Sequence, residues 1–475
     1  MAEETAAAAQ ELMLDENVEP PAGSAPAKTW PQYLAALTVT LSSLSVGTVL
    51  SWTSPALMEL QDANATSAPF HVTQDEGSWI GSLLAVGSMV GSLPAGRVAQ
   101  VVGRRPALLG LALPLAASWV VILAAGGAAT LYCARLLAGL AVGGISAVAP
   151  VYIAEIAHSS VRGTLGSFFQ LMITIGVLYT YCVGAAAPYH ALAGACLAPV
   201  VVFCVAFFFM PETPSHLLTK GRRRDAVRAL LRLRGAQYDY RDEIALLQAE
   251  VDESSRRKAS VRDVLRSPAA RRGLLLSLGL MAIQQLSGIN AVVFYTSTIF
   301  KEAGSSLSPS AAAIVVGVVM AAATLASSLL MDRLGRRALL LLSTAVMAVA
   351  LAVLGLHIHL ALQGIGWLPL VCVCVYIVVF SLGMGPVPWL MMGELFNPEA
   401  KSIASAASVF TNYLLVFVIT KTFEPMSSAL GTAVVYWIYA GLCAAGAVFV
   451  FFLVPETKGK TMQQIQEMLA TGKTS

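Results

Sequence analysis

The chain has 475 residues, of which 57% are hydrophobic and only 12% charged, whereas a soluble globular domain carries roughly 25% charged residues. That balance excludes a water-soluble globular protein, and the formal net charge of +3 has meaning only once it is mapped along the chain. Apolar stretches recur with short breaks from Trp30 to Val454, and about 20 such residues cross a bilayer as a helix.

In lipid every backbone polar group must be satisfied internally, which leaves helices or a closed barrel. Barrel strands alternate polar and apolar residues over roughly ten positions, and segments such as 107–125 and 338–356 show no alternation. The fold class is therefore read as an all-α membrane protein. Residues 1–30 form a polar, acidic segment containing Glu3, Glu4, Glu11, Asp15, Glu16 and Glu19. It lacks the basic start and small-residue cleavage site of a secretory signal, so a cytoplasmic tail and a retained first span are expected.

Spans are predicted near 31–57, 77–97, 106–125, 130–153, 163–186 and 191–210, then near 273–300, 309–331, 338–358, 367–392, 402–424 and 432–453. They give two six-helix halves, 31–210 and 273–454, with a cytoplasmic helical loop at 211–272 and a cytoplasmic tail at 455–475. Between Lys220 and Arg272 lie 15 of the 30 basic residues against eight acids, a local charge of +7, which places that loop in the cytosol. The loops near 58–76, 126–129, 187–190 and 359–366 hold no Lys or Arg, while the alternate ones hold Arg97, Arg104, Arg105, Arg162, Arg333, Arg336, Arg337 and Lys401. The positive-inside rule is thus met with both termini cytosolic. Asn64-Ala65-Thr66 is a glycosylation sequon in the first outer loop, which makes Asn64 the candidate acceptor.

In the basic loop, Asp225–Arg234 and Glu243–Val251 have helical apolar spacing, read as a solvated cap, with binding of anionic lipid headgroups as the second reading. The seven cysteines all fall inside apolar spans without metal-ligand spacing and read as small packing residues. The halves also repeat. Gly103-Arg104-Arg105 after the second span matches Gly335-Arg336-Arg337 after the eighth, and Pro211-Glu212-Thr213 matches Pro455-Glu456-Thr457. Parallel repeats of this kind place a substrate between the halves near the bilayer midplane.

Several motifs occur in order between about residues 32 and 466: the Gly-Arg-Arg turns, Pro-Val-Tyr-Ile-Ala-Glu at 150–155 followed by Arg162-Gly163, Pro-Glu-Thr-Pro at 211–214, Gln-Gln-Leu-Ser-Gly-Ile-Asn at 284–290, Gly-Pro-Val-Pro-Trp at 385–389, Gly-Glu-Leu-Phe at 393–396 and Pro-Glu-Thr-Lys-Gly-Lys-Thr at 455–461. Through them the chain resembles the sugar porter family of the major facilitator superfamily, which includes facilitative glucose transporters. Pro388-Trp389-Leu390-Met391-Met392-Gly393-Glu394 makes it look most like intracellular-type animal glucose transporters and insect facilitated trehalose transporters. The resemblance implies the major facilitator fold and a uniporter that moves a hexose or trehalose by alternating access, acting as a monomer at the plasma membrane.

The residues support a sugar site independently. A sugar is a neutral ring of hydroxyls, suited to amides, which both donate and accept, and to aromatic rings over its apolar face. Gln170, Gln284, Gln285 and Asn290 are amides inside apolar spans, where polar groups are costly unless they face a cavity. Gly385, Trp389 and Asn412 join them by resemblance, as do Phe294 and Tyr295 as an outer gate. The resemblance also implies an inner-side salt-bridge latch of Arg104, Arg105, Glu155, Arg162, Glu212, Arg336, Arg337, Glu394 and Glu456. The chain departs from the family pattern at Gln100, Val101, Ser215, Met320 and Ser381, which puts a strong latch and a close copy of the glucose site in question.

Proton-coupled symport needs an ionisable group at membrane depth, yet 31–57 holds no Asp or Glu and Val49 stands where family symporters have Asp. A non-transporting sugar sensor is the other alternative. An enzyme is not expected, since there is no phosphate loop and no nucleophile paired with His, and His71, His158, His190, His216, His357 and His359 look incidental. No cofactor, metal or nucleic-acid partner is expected.

Overall fold

The computed structural model describes residues 27–62, 69–158, 160–256, 267–302, 307–360, 365–396, 398–460 and 462–471. Asn64, the candidate glycosylation site, lies outside them. Among the described residues there is no strand, and twelve helices are long and apolar enough to cross a membrane. These spans are Trp30–Leu60, Gln74–Val102, Arg104–Leu123, Ala128–Ile156, Arg162–Ala186, Tyr189–Phe208, Pro268–Phe294, Pro309–Ser327, Arg336–Leu360, Leu368–Glu394, Ala404–Leu430 and Thr432–Leu453. The all-α, twelve-span reading of the sequence is what the chain adopts.

Local chemistry sets several span starts. Thr73 and Glu76 exchange side-chain and backbone hydrogen bonds, Glu76 N to Thr73 Oγ1 at 3.2 Å and Thr73 N to Glu76 Oε2 at 2.8 Å, so the second span opens with its first N–H groups satisfied. Ser267 followed by Pro268 and Ser308 followed by Pro309 open the seventh and eighth spans, each serine accepting from a backbone N–H, because proline needs no partner there.

Among the first six spans the second packs on the fourth and the first on the fifth. Among the last six the ninth packs on the twelfth and the seventh on the eleventh. The two sets meet where the second span lies along the eleventh and the fifth along the eighth. Lipid tails are as apolar as leucine, so close backbone approach has to hold such helices together. At the second–fourth crossing a Cβ on Gly87 would stand 2.2 Å from the Leu136 carbonyl, and one on Gly139 2.2 Å from the Leu84 carbonyl. The first and fifth spans cross in the same way at Gly47 and Gly176.

With twelve spans, the first described residues and the last lie on one face, where helices Pro214–Thr219, Arg223–Arg234 and Arg241–Arg256 form a cap. The two helices expected from spacing are present and run slightly longer than 225–234 and 243–251. The cap has its own core of Leu217, Leu218, Ala226, Val227, Leu230 and Ile244. It is fastened by Arg234, whose buried guanidinium pairs with Glu243 at 2.8 Å and donates to the Ile156 carbonyl at the end of the fourth span at 2.7 Å. The opposite side is termed the distal face below.

The glycine crossing gives a direct expectation. Gly139→Leu overpacks a contact that has no room, costing more than the ~1–3 kcal/mol usual for overpacking, and folded yield in size-exclusion chromatography should collapse. Gly110→Leu is the control, since a Cβ there meets nothing within 4 Å, and its yield should match wild type.

Candidate functional site

The site is built where two spans break. In the seventh, Gly288 takes a left-handed conformation with φ +89° between helices Pro268–Leu286 and Ile289–Phe294, and a Cβ there would lie 2.7 Å from the Tyr439 ring. Both the backbone and the space favour glycine at this position. The tenth span passes from helix Leu368–Val379 through a π-helical turn, Phe380–Met384, into Val387–Glu394.

Pro386 and Pro388 carry no N–H, so the carbonyls four residues before them, Leu382 and Met384, lose their helical donors. Side chains from neighbouring spans supply them. Ser327 Oγ donates to the Leu382 carbonyl at 3.3 Å, and Gln284 Nε2 donates to the Met384 and Gly385 carbonyls, both at 2.8 Å. Ser343 Oγ accepts from the Met384 N–H at 3.1 Å.

Gln284 Oε1 in turn accepts from Asn412 Nδ2 at 2.9 Å and from Gln285 Nε2 at 3.3 Å, and Asn290 Nδ2 donates to Gln285 Oε1. An amide has two N–H donors and two lone pairs, so Gln284 is saturated by protein. Gln285 keeps one N–H and one lone pair, Asn290 one N–H and its carbonyl, and Asn412 its carbonyl. The structure thus joins Gln284, Gln285, Asn290, Asn412 and the Gly385 backbone in one network. Gln170 on the fifth span and Trp389 on the tenth stay outside it, half-buried and without a hydrogen-bond partner among the described residues. Met320 is buried and adds no polar group.

Phe294 and Tyr295, expected from the resemblance as an outer gate, are buried at the distal end of the seventh span. Tyr295 stacks on Phe423 with ring centroids 5.2 Å apart, donates to the Thr420 carbonyl at 3.2 Å, and sits so close to the second span that a Cβ on Gly81 would be 3.0 Å from its hydroxyl. Beside it, Tyr181 of the fifth span donates to the Val293 carbonyl at 2.8 Å, and Ser54 of the first meets Ser297 at 3.0 Å. The distal ends of the two sets of spans are therefore sealed against each other.

At the cap face the expected arginines and glutamates form two matching clusters, one in each set of spans. Arg104 pairs with Glu155 at 2.8 Å, and Arg336 with Glu394 at 3.0 Å. Glu212 accepts the N–H groups of Arg104 and Arg105 at 3.2 and 3.1 Å, and Glu456 those of Arg336 and Arg337 at 2.9 and 3.0 Å. Each carboxylate thereby caps a helix N-terminus, where backbone N–H groups and the helix dipole favour an anion. All of these bonds stay within one set of spans, and Arg162 is exposed with no ion pair among the described residues. Burial pushes the Glu456 carboxyl up, but the backbone N–H groups of Lys458, Arg336, Arg337 and Thr457 outweigh it and hold the group below the ordinary carboxylate range.

Three features were not read from the sequence. Lys421 of the eleventh span donates to Asp75 Oδ1 and Ser78 Oγ of the second, each at 2.7 Å, and lies 4.3 Å from the centre of the Trp79 ring, a clasp across the distal face. Arg135 is fully buried in the fourth span. It donates to the Ile80 and Val49 carbonyls at 3.0 and 2.9 Å, with its guanidinium 5.7 Å from the Trp52 ring. His216 is not incidental, since it is buried with Nδ1 2.8 Å from Arg104 Nη1. A guanidinium only donates, so the imidazole is neutral with its proton on Nε2. Burial and then the Arg104 charge keep its pKa below the ordinary histidine value, in agreement.

Two repeated sets of six spans, broken helices carrying amides and a sealed distal end define a membrane carrier of the major facilitator fold. The chain belongs to the family described as "Sugar (and other) transporter", whose model matches residues 35–469. It is 40% identical over 449 residues to the facilitated trehalose transporter Tret1-2 homolog of Drosophila simulans, covering 93% of this chain and 91% of that one. It is 41% identical over 448 residues to the facilitated trehalose transporter Tret1 of Drosophila erecta, covering 93% of this chain but 52% of that protein. The chain therefore spans about half the length of several curated relatives it matches. Among solved structures, the inward open conformation of the xylose transporter XylE from E. coli has the same fold, with a TM-score of 0.76 at 23% identity over 92% of this chain and 99% of that one.

Two outcomes test the site. Gln284→Leu leaves the Met384 and Gly385 carbonyls unpaired in an apolar setting, at about 1–3 kcal/mol, so folded yield and melting temperature in detergent should fall; wild-type stability would remove its role as a tie. Glu456→Gln should cost about 0.5–1 kcal/mol at pH 7, allowing for solvent screening. Because the folded carboxyl titrates below its unfolded value, its contribution is present above the ordinary carboxylate range and is lost as pH falls through the lowered value. The gap between the two melting curves should close on acidification from pH 7.

Proposed function

We propose that the chain carries a neutral sugar, trehalose or a hexose, down its gradient by alternating access and without proton coupling. The observation that carries this reading is the amide network, in which Gln285, Asn290 and Asn412 hold hydrogen-bonding capacity that the protein leaves unused. A sugar hydroxyl both donates and accepts and so complements all three, with Gln170 and the Trp389 ring as further contacts. Gln284 acts on the sugar through its hold on the broken tenth span. The trehalose transporters among the relatives support the substrate class.

The absence of proton coupling rests on where the carboxylates lie. Among the described spans none is deeper than Glu424, six residues from the span end at Leu430. The buried Arg135 is held by carbonyls and the Trp52 ring, and Val49 gives it only its backbone oxygen. In this reading the distal seal formed by Tyr295, Tyr181, Ser54–Ser297 and the Lys421 clasp opens in turn with the cap face, where each Arg–Glu cluster stiffens its own set of spans. The charge map supports a cytosolic cap and cytosolic termini, and the family resemblance supports the plasma membrane as the site of action.

Purified protein in proteoliposomes should take up labelled trehalose or glucose down its gradient with no imposed pH gradient, and sugar-evoked proton movement would overturn the uniport reading. Gln285→Leu removes partners from a ligand that must leave water, at about 1–3 kcal/mol per unmet group. It should weaken sugar affinity roughly ten- to a hundredfold at unchanged yield; unchanged affinity removes Gln285 from the site.

A further inference from the structure

The cap-side end of the sixth span carries a cluster of guanidinium groups that lies outside the amide network. In both repeats the second arginine of the turn reaches back to the final turn of the last span of its set. Arg105 donates to the Phe208 carbonyl with its guanidinium 5.4 Å from the Phe208 ring, and Arg337 donates to the Phe451 carbonyl 5.7 Å from the Phe451 ring. The repeats differ in what is added. At the sixth span the cap helix brings a second guanidinium, with Arg232 Nη2 donating to the Phe209 carbonyl at 2.6 Å.

Arg232 continues a stripe. Arg224, Arg228 and Arg232 recur every four residues along the cap helix, so they share one face, and all three are exposed. Like charges at this spacing repel and weaken a helix. The neighbouring carboxylate, Asp225, lies 3.4 Å from Arg228 and is shared with Arg222 at 2.8 Å. The stripe ends where a membrane span ends, beside Phe208 and Phe209, 59% and 62% exposed. Aromatic rings and arginines together mark the level of lipid headgroups, and exposed Val201, Val202 and Val205 continue the apolar surface below.

We propose that this edge binds the headgroup of an anionic phospholipid, with the guanidinium groups of Arg228 and Arg232 on the phosphate and the acyl chains along the sixth span. A soluble anion satisfies only the charge; a lipid satisfies the charge and the exposed rings and valines together. Guanidinium forks suit phosphate oxygens, and each basic residue near an anionic bilayer surface adds about a fivefold gain in binding.

The test is native mass spectrometry of the full chain in detergent with dioleoyl phosphatidylserine and dioleoyl phosphatidylcholine in competition. Wild type should retain phosphatidylserine preferentially. Arg224→Gln/Arg228→Gln/Arg232→Gln should lose at least tenfold in that affinity, and the triple Arg→Lys variant should keep most of it. Millimolar glycerophosphoserine or inorganic phosphate should fail to displace the lipid. Equal phosphatidylserine retention by wild type and the glutamine variant overturns the proposal, and so does displacement by either soluble anion, which makes the cluster a soluble-anion site. Should the glutamine variant not fold, wild type decides alone: no preference for phosphatidylserine, or one that raised salt leaves unchanged, overturns the proposal.

Discussion

Every backbone polar group at membrane depth must find a partner inside the protein, and the break in the tenth span shows how this chain meets that requirement while keeping an irregular segment. Two prolines strip the donors from Leu382 and Met384, and side chains from three other spans surround the gap. Ser327 and Gln284 donate to the freed carbonyls, and Ser343 accepts from the Met384 N–H. The irregular backbone is thereby pinned to the seventh, eighth and ninth spans. The same glutamine carries the hydrogen bonds that orient Gln285 and Asn412. Satisfying the backbone and arranging the amides proposed to face a sugar are one network.

A second theme is repetition with small differences. Glu212 and Glu456 cap the third and ninth spans alike, and Arg104–Glu155 mirrors Arg336–Glu394. The partners around them diverge. Glu394 Oε2 accepts from Thr457 Oγ1 at 2.6 Å, whereas Glu155 Oε2 is buried without a partner among the described residues and Arg104 turns to His216. The clusters hold each set of spans rigid at its cap-side end, and the polar seals at the distal end join the sets. That division of labour suits a carrier whose two halves rock against each other around a central site.

The amino-acid sequence determined the elements whose physics is local. Apolar length and the missing alternation gave twelve helices, and the arginine and glutamate motifs were placed at span ends. The amides Gln170, Gln284, Gln285 and Asn290 stand out because a polar group in an apolar span has to be explained, and Asn412 joins them through the family resemblance. Tertiary structure alone decided what each of them does. Gln284 is consumed by carbonyls 100 and 101 residues away, while Gln285 keeps open capacity. Lys421 meets Asp75 across 346 residues, and His216 becomes a neutral acceptor for Arg104. Hydropathy and spacing report what a residue prefers along its own helix, but a hydrogen bond between distant spans depends on which faces pack together, and only the folded chain fixes that.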